Sequence, residues 1–255
     1  MYASLKGRTV AITGASRGIG RAIAQAFAAA GCDLVLAARD EGLLGQVAGQ
    51  IEQEHRVGVR TCALDLSAID NVLAFAEACR DADILVNNAG AIPFGTLEEV
   101  DGAAWRRAWD LKVFGYIDLT RAVLPAMYAS GQGVIVNIIG AAALRPNPRY
   151  IAGCVGNAAL DMFTRCIGAE SIKRGVRIVA VHPGPIVSER VKAEMRQRAE
   201  KELGSAERWQ ELMASLSPTG KAGVPEDVAA AVLFLASDQA GFVSGAALKV
   251  DAGRL

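Results

Sequence analysis

Seven short apolar runs, separated by longer stretches of helical character, constrain this chain more than any other feature. The runs are TVAIT (9–13), DLVLAA (33–38), RTCAL (60–64), DILVNN (83–88), GVIVNI (133–138), RIVAVH (177–182) and AALKVD (246–251). Between them the pattern predicts helices over 21–30, 42–54, 69–80, 103–129, 154–173 and 226–236. Such alternation is the sequence form of a parallel sheet covered by helices on both faces. Nearly every run is apolar throughout instead of alternating, as strands must be when neither face meets water. The expectation is an α/β fold with a doubly wound parallel sheet of about seven strands. A hydrophobic fraction of 52 % against 21 % charged residues suits one well-buried domain spanning 1–255. No repeat, low-complexity tract or Pro/Gly linker divides it.

Charge and cysteine usage narrow the partners. Basic and acidic residues balance at 27 each, so no net field recruits nucleic acid or an anionic membrane, and a small-molecule substrate is expected. Cys32, Cys62, Cys79, Cys154 and Cys166 lack CxxC or CxxH spacing, which disfavours a zinc site and a disulfide framework and reads as buried thiols. The amino terminus runs straight into the first strand without the tripartite pattern of a leader. A cytoplasmic protein is the expectation.

One segment departs from this composition. SERVKAEMRQRAEKELGSAERWQELM (188–213) is highly charged and helical by propensity. It reads as a helical lid over a substrate site, or as a solvated surface hairpin.

TGASRGIG (13–20) follows the first strand and opens the first helix, the context in which a glycine-rich loop is informative. Gly14 permits the tight turn, Gly18 and Gly20 allow close backbone approach, and the exposed helix amides then face an anion such as pyrophosphate. The spacing TGxxxGxG is similar to that of the short-chain dehydrogenase/reductase family, and the resemblance continues through most of the chain. It is carried further by Asp65 and Leu66, by NNAG (87–90), by HPGPIVS (182–188), and by GVPEDVAAAVLFLAS and GFVSGAALKVDAG near the end. It implies a Rossmann-type domain that binds a nicotinamide dinucleotide and acts as a homodimer or homotetramer.

By this resemblance, Gly14, Ser16, Arg17, Gly18, Ile19 and Gly20 form the cofactor loop. Asp65 and Leu66 border the adenine, Asn88, Ala89 and Gly90 the ribose, and Pro183, Gly184, Ile186 and Ser188 the nicotinamide. The second strand ends in Ala38 and Arg39, without the carboxylate that would repel a 2′-phosphate. Arg39 and Arg17 are expected to clamp that phosphate from two sides, since guanidinium matches phosphate in forked geometry. Asp40 is the neighbouring carboxylate that competes for Arg39. NADP is therefore expected over NAD.

The chemical end departs from the family's pattern. The family uses an asparagine, a serine, a tyrosine and a lysine to move a proton at the substrate carbonyl. By their flanks, the corresponding positions here are Lys112, Gly140, Gly153 and Asn157. The two glycines have no side chain to donate or polarise. Lys112 and Asn157 read as an amine and an amide that have exchanged helices, or else as a solvated lysine and a hole-filling asparagine. Tyr150, three residues before Gly153, is a candidate proton donor if its ring covers that glycine, or a packing residue. Arg145 and Arg149 on the same loop are candidates for a substrate carboxylate or phosphate. His182 lies at a strand end beside the nicotinamide position. Trp105, Trp109 and Tyr116 read as packing residues.

The leading functional expectation is an NADP(H)-dependent oxidoreductase with a non-standard catalytic site formed by Lys112, Tyr150 and Asn157, acting on a carbonyl, an alcohol or an activated carbon–carbon double bond. Two alternatives stay open: a cofactor-binding sensor or inactive subunit without hydride chemistry, and a non-redox enzyme reusing the cleft.

Overall fold

The apolar runs in the middle of the sheet become strands because helices bury both of their faces. The computed structural model describes residues 3–254. In chain order the elements that frame the site are β1 (Thr9–Thr13), α1 (Gly18–Ala29), β2 (Asp33–Ala38), α2 (Glu41–His55), β3 (Val59–Ala63), α3 (Ile69–Ala78), β4 (Ile84–Asn87), α4 (Gly102–Trp109), α5 (Gly115–Ser130), β5 (Gly133–Ile138), α6 (Ile151–Ser171), β6 (Val176–Pro183), α7 (Glu189–Leu203), α8 (Trp209–Ser215), α9 (Pro225–Ala236) and β7 (Ala247–Val250). Among the described residues the strands form one parallel sheet ordered β3-β2-β1-β4-β5-β6-β7. The order reverses between β1 and β4, which opens a crevice beyond the carboxyl ends of those strands.

Alternate residues of each strand point to opposite faces and so build two core layers. On one face Ile12, Leu36, Val86 and Val136 pack with Phe27 of α1, Ile51 of α2 and Val232 of α9. On the other, Ala11, Leu85, Ile135 and Ile178 pack with Phe75 of α3 and Val123 and Met127 of α5. β3 and β7 are the edges of the sheet, and neither contains a buried residue. Polar side chains at Arg60, Thr61 and Lys249 are tolerated there because one side of an edge strand meets solvent.

The single helix expected over 103–129 is divided. A π-helical turn at Asp110–Phe114 separates α4 from α5. The wider turn changes the angular register, so that Trp109 and Lys112, three residues apart, both reach groups beyond their own helix. Trp109 Nε1 donates to Ala152 O at 3.1 Å, and Lys112 Nζ donates to Ile139 O at 2.6 Å. Tyr116 is buried and donates to Ile138 O at 3.1 Å, and burial pushes its phenol well above the ordinary value.

The thiols are not uniformly buried. Cys32 and Cys79 are, and burial pushes each up to about 12. Cys62 and Cys154 are half-buried and Cys166 is exposed, because the face of α6 that carries Cys166 points away from the sheet. Among the described residues no helix is long and apolar enough to cross a membrane, and no three His, Cys, Asp or Glu side chains group as a metal site would require.

The charged segment folds as α7 and α8, which share a small core of Met195, Ala199, Leu212 and Met213. Its two ends meet: Val187 N donates to Gly223 O at 2.9 Å, and Gly223 N donates to Pro185 O at 3.0 Å.

Candidate active site

The crevice is held open by a polar weld between three strand ends. Thr13 Oγ1 accepts from the amides of Asn88 and Ala89, each at 2.9 Å. Asn88 Nδ2 donates to Thr13 O at 3.0 Å and Gly14 O at 3.2 Å, and the amides of Gly14 and Ala15 donate to Ala37 O. Gly14 and Gly18 have φ of +68° and +52°, left-handed values that glycine adopts without strain. A Cβ on Gly20 would collide with Gly14 O and lie 2.5 Å from Asn88 Nδ2. Only glycine fits there. No side chain caps α1 at Arg17, so its first amides remain available to an anion. The loop, with Ser16 at its tip and Ile19 packed on the core, fits the diphosphate of a dinucleotide.

Beside it lies a cavity of about 400 Å³ lined by Arg39, Asp65, Ser67, Ile92, Arg107 and Leu111, among others. Leu66 is buried in the core layer that contains Phe75 and Leu85. Asp65 is not aimed freely into it, since its Oδ1 accepts from Ser67 N at 3.1 Å and Ser67 Oγ at 2.9 Å. The expected competition for Arg39 falls on Arg17 instead. Asp40 caps α2 by accepting from Leu43 N at 3.0 Å, which turns its other oxygen to Arg17 Nη2 at 3.2 Å. Arg39 lines the cavity together with Arg107, a cation that sequence reasoning missed because nothing in the spacing of α4 links it to β2.

At the far end, Pro183 closes β6, Gly184 packs against Asp251, and Ile186 packs on Gly223. Ser188 caps α7, accepting from Val191 N at 3.4 Å, and its Cβ lies 3.4 Å from where a Cβ on Gly18 would be. The base of the helical pair thus touches the glycine loop.

The strand end of β5 gathers the remaining groups. Lys112 crosses Gly90, where a Cβ would lie 2.9 Å from the lysine Cδ, and seats its ammonium on Ile139 O. Gly140 has φ of +129°. A Cβ there would stand 3.2 Å from Asn157 Nδ2, so the vacated side-chain volume belongs to the asparagine. Asn157 is buried, and its Oδ1 has no hydrogen-bond partner among the described residues. Tyr150 lies over Gly153: a Cβ on that glycine would fall inside the tyrosine ring, 2.6 Å from Cδ1. The ring is stacked on Phe94 with centroids 4.3 Å apart, a contact with no signal in the sequence.

Beneath Gly140 sits His182, 0 % exposed. Its Nδ1 lies 3.0 Å from Gly140 O and its Nε2 2.9 Å from Asp161 Oδ1. Arg165 Nε donates to Asp161 Oδ2 at 2.7 Å. Burial opposes ionisation of Asp161, but hydrogen bonds and charges from Arg165 and His182 outweigh it and hold the carboxyl below the usual range. A depressed folded value gives stability that is fully present above the unfolded value of roughly 4 and is lost as pH falls through the folded one. Urea unfolding of Asp161→Asn is expected to show a deficit at pH 7 that closes in acid; a gap unchanged by pH would contradict this. Arg145 and Arg149 are exposed on the β5–α6 loop, and Arg145 and Arg198 lie near enough to Arg254 to add to the desolvation that disfavours its charge.

A family model described as enoyl-(acyl carrier protein) reductase matches residues 14–254. Galactitol 2-dehydrogenase (L-tagatose-forming) of Cereibacter sphaeroides is 36 % identical over 251 residues, covering 98 % of this chain and 95 % of that one. 2-(S)-hydroxypropyl-CoM dehydrogenase 3 of Xanthobacter autotrophicus is 36 % identical over 254 residues, covering 98 % and 97 %. The L-sorbose reductase of Gluconobacter frateurii, solved with NADPH and L-sorbose, superposes with a TM-score of 0.94 at 32 % identity over 100 % of this chain and 99 % of that one.

Proposed function

Since the chain belongs to the short-chain dehydrogenase/reductase family, we propose that it is an NADP(H)-dependent oxidoreductase interconverting a secondary alcohol and a ketone of a small molecule through a rebuilt proton-transfer site. The observation that carries this reading is the Lys112 ammonium seated 2.6 Å from Ile139 O, one peptide from Gly140. The resemblance to the family implies proton machinery at this strand end, and Lys112 brings a cation there.

In this reading Gly14, Ser16, Gly18, Ile19 and Gly20 hold the diphosphate on the amides of α1, and Arg39 with Arg17 or Arg107 holds the 2′-phosphate. Asp65 and Leu66 border the adenine, Asn88, Ala89 and Gly90 the ribose, and Pro183, Gly184, Ile186 and Ser188 the nicotinamide. When bound, the nicotinamide supplies or accepts the hydride. Lys112 holds the proton that passes to or from the substrate oxygen, or stabilises that oxygen as an anion. The Tyr150 phenol stands where the family's tyrosine would begin, and the unpartnered Asn157 Oδ1 accepts a hydrogen bond from the substrate hydroxyl. The 188–213 pair of helices serves as the lid that excludes water.

Fluorescence titration with NADPH and NADH tests the cofactor, followed by turnover with L-sorbose, L-tagatose and a panel of secondary alcohols. NADPH is expected to bind at least about tenfold more tightly than NADH, one guanidinium–phosphate pair being the source. Equal affinities, or no turnover, would count against the reading. The place of Tyr150 is tested by a cycle. Gly153→Ala must expel the ring and is expected to lower turnover about tenfold, yet to cost little more in a Tyr150→Phe background. Additive losses would separate the two residues.

A second reading, a nucleotide-binding protein without hydride chemistry, rests on Gly140 and Gly153 offering no side chain at two positions the family uses. Robust NADPH oxidation by the purified chain rejects it.

A further inference from the structure

Both ring nitrogens of His182 face acceptors. Nδ1 meets the Gly140 carbonyl at 3.0 Å and Nε2 meets a carboxylate oxygen of Asp161 at 2.9 Å. That carboxylate is kept ionised, because its other oxygen takes the Arg165 guanidinium at 2.7 Å. A neutral imidazole has one N–H and would set a lone pair against one of these oxygens. Only a ring with a hydrogen on each nitrogen satisfies both, and at 0 % exposure the ring is out of reach of bulk solvent.

The peptide that His182 grips is the one next to the lysine seat. Gly140 carries a φ of +129°, and the carbonyl just before it, on Ile139, takes the Lys112 ammonium. We infer that His182 is a positioning residue: as an imidazolium fixed between Asp161 and Gly140 O, it locks the Ile139–Gly140–Ala141 backbone on which Lys112 docks. This rests on the reading of Lys112 given above. The charged groups around the ring are Asp161 and Arg165 from α6, Lys112 across the β5 end, and Lys249 and Asp251 on or just after β7, where Lys249 is in register with His182. Of these, Asp161 is in direct contact with the ring.

The chain has two histidines, His55 and His182, so nitrogen NMR of the rings is assignable with a His55→Gln variant. At pH 7 the wild-type His182 ring is expected to show two protonated nitrogens; a neutral ring overturns the inference without any variant. Labelling isoleucine carbonyls and glycine amides then isolates three peptides, Ile19–Gly20, Ile139–Gly140 and Ile167–Gly168. Asp161→Asn and Lys112→Met are each expected to shift the Ile139–Gly140 signal while Ile19–Gly20 stays, and an unmoved signal in Asp161→Asn overturns the link to the lysine seat. Where a substrate is turned over, Asp161→Asn is expected to lower kcat roughly ten- to a hundredfold with NADPH affinity unchanged. Absence of turnover in the wild type would defeat the oxidoreductase reading alone, since the NMR signals require no reaction.

Discussion

Replacing Gly20 by alanine is expected to abolish measurable NADPH binding, weakening it by at least about a hundredfold. Two opposed effects decide the outcome. Alanine is the better helix former by about 1 kcal/mol, and Gly20 lies within α1. Against this, the added methyl would collide with Gly14 O and press on Asn88 Nδ2 at 2.5 Å, both fixed by the hydrogen bonds that join β1, β2 and β4. Overpacking against backbone that cannot retreat costs about 1–3 kcal/mol, and relief comes only by opening the loop that presents the α1 amides. The variant should keep its far-UV circular dichroism while losing the fluorescence response to NADPH. A response of wild-type affinity would mean that the loop is not the nucleotide cradle.

Lys112→Met carries the largest expected loss of catalysis, about 10³ in kcat, the middle of the range for removal of a positioned proton donor. Methionine keeps most of the stem that crosses Gly90, so packing changes little and nucleotide affinity should be unaffected. The ammonium and its contact with Ile139 O are removed. Turnover equal to wild type would show that another group moves the proton. A fall in NADPH affinity instead would assign Lys112 to binding.

The central strands were legible because burial of both faces leaves an uninterrupted apolar run, and the tight loop at 13–20 because glycine alone satisfies its positive φ and close contacts. That β3 and β7 would be the exposed edges was not read from the sequence, although Arg60, Thr61 and Lys249 mark them. Tyr150 over Gly153 could be read from the absence of a side chain within reach of a tyrosine. What escaped were features set by packing between distant elements. The π-turn at 110–114 has no mark in its own residues, since its register is chosen by Trp109 on Ala152 and Lys112 on Ile139. The pairing of Arg17 with Asp40 depends on which oxygen caps α2. The contact between His182 and Asp161 joins β6 to α6 across 21 positions, and Arg107 reaches the cavity only because α4 lies along it.

The backbone bonds between 185–187 and 223 have an evolutionary implication. They bring the two ends of residues 188–222 to one point on the rim, and the helices between them pack chiefly on each other. Closing a longer loop across a fixed gap costs only about 0.6 kcal/mol per doubling of its length. The segment is therefore an interchangeable cassette: its length and surface can change while the sheet, the glycine loop and the Lys112 contact are left as they are.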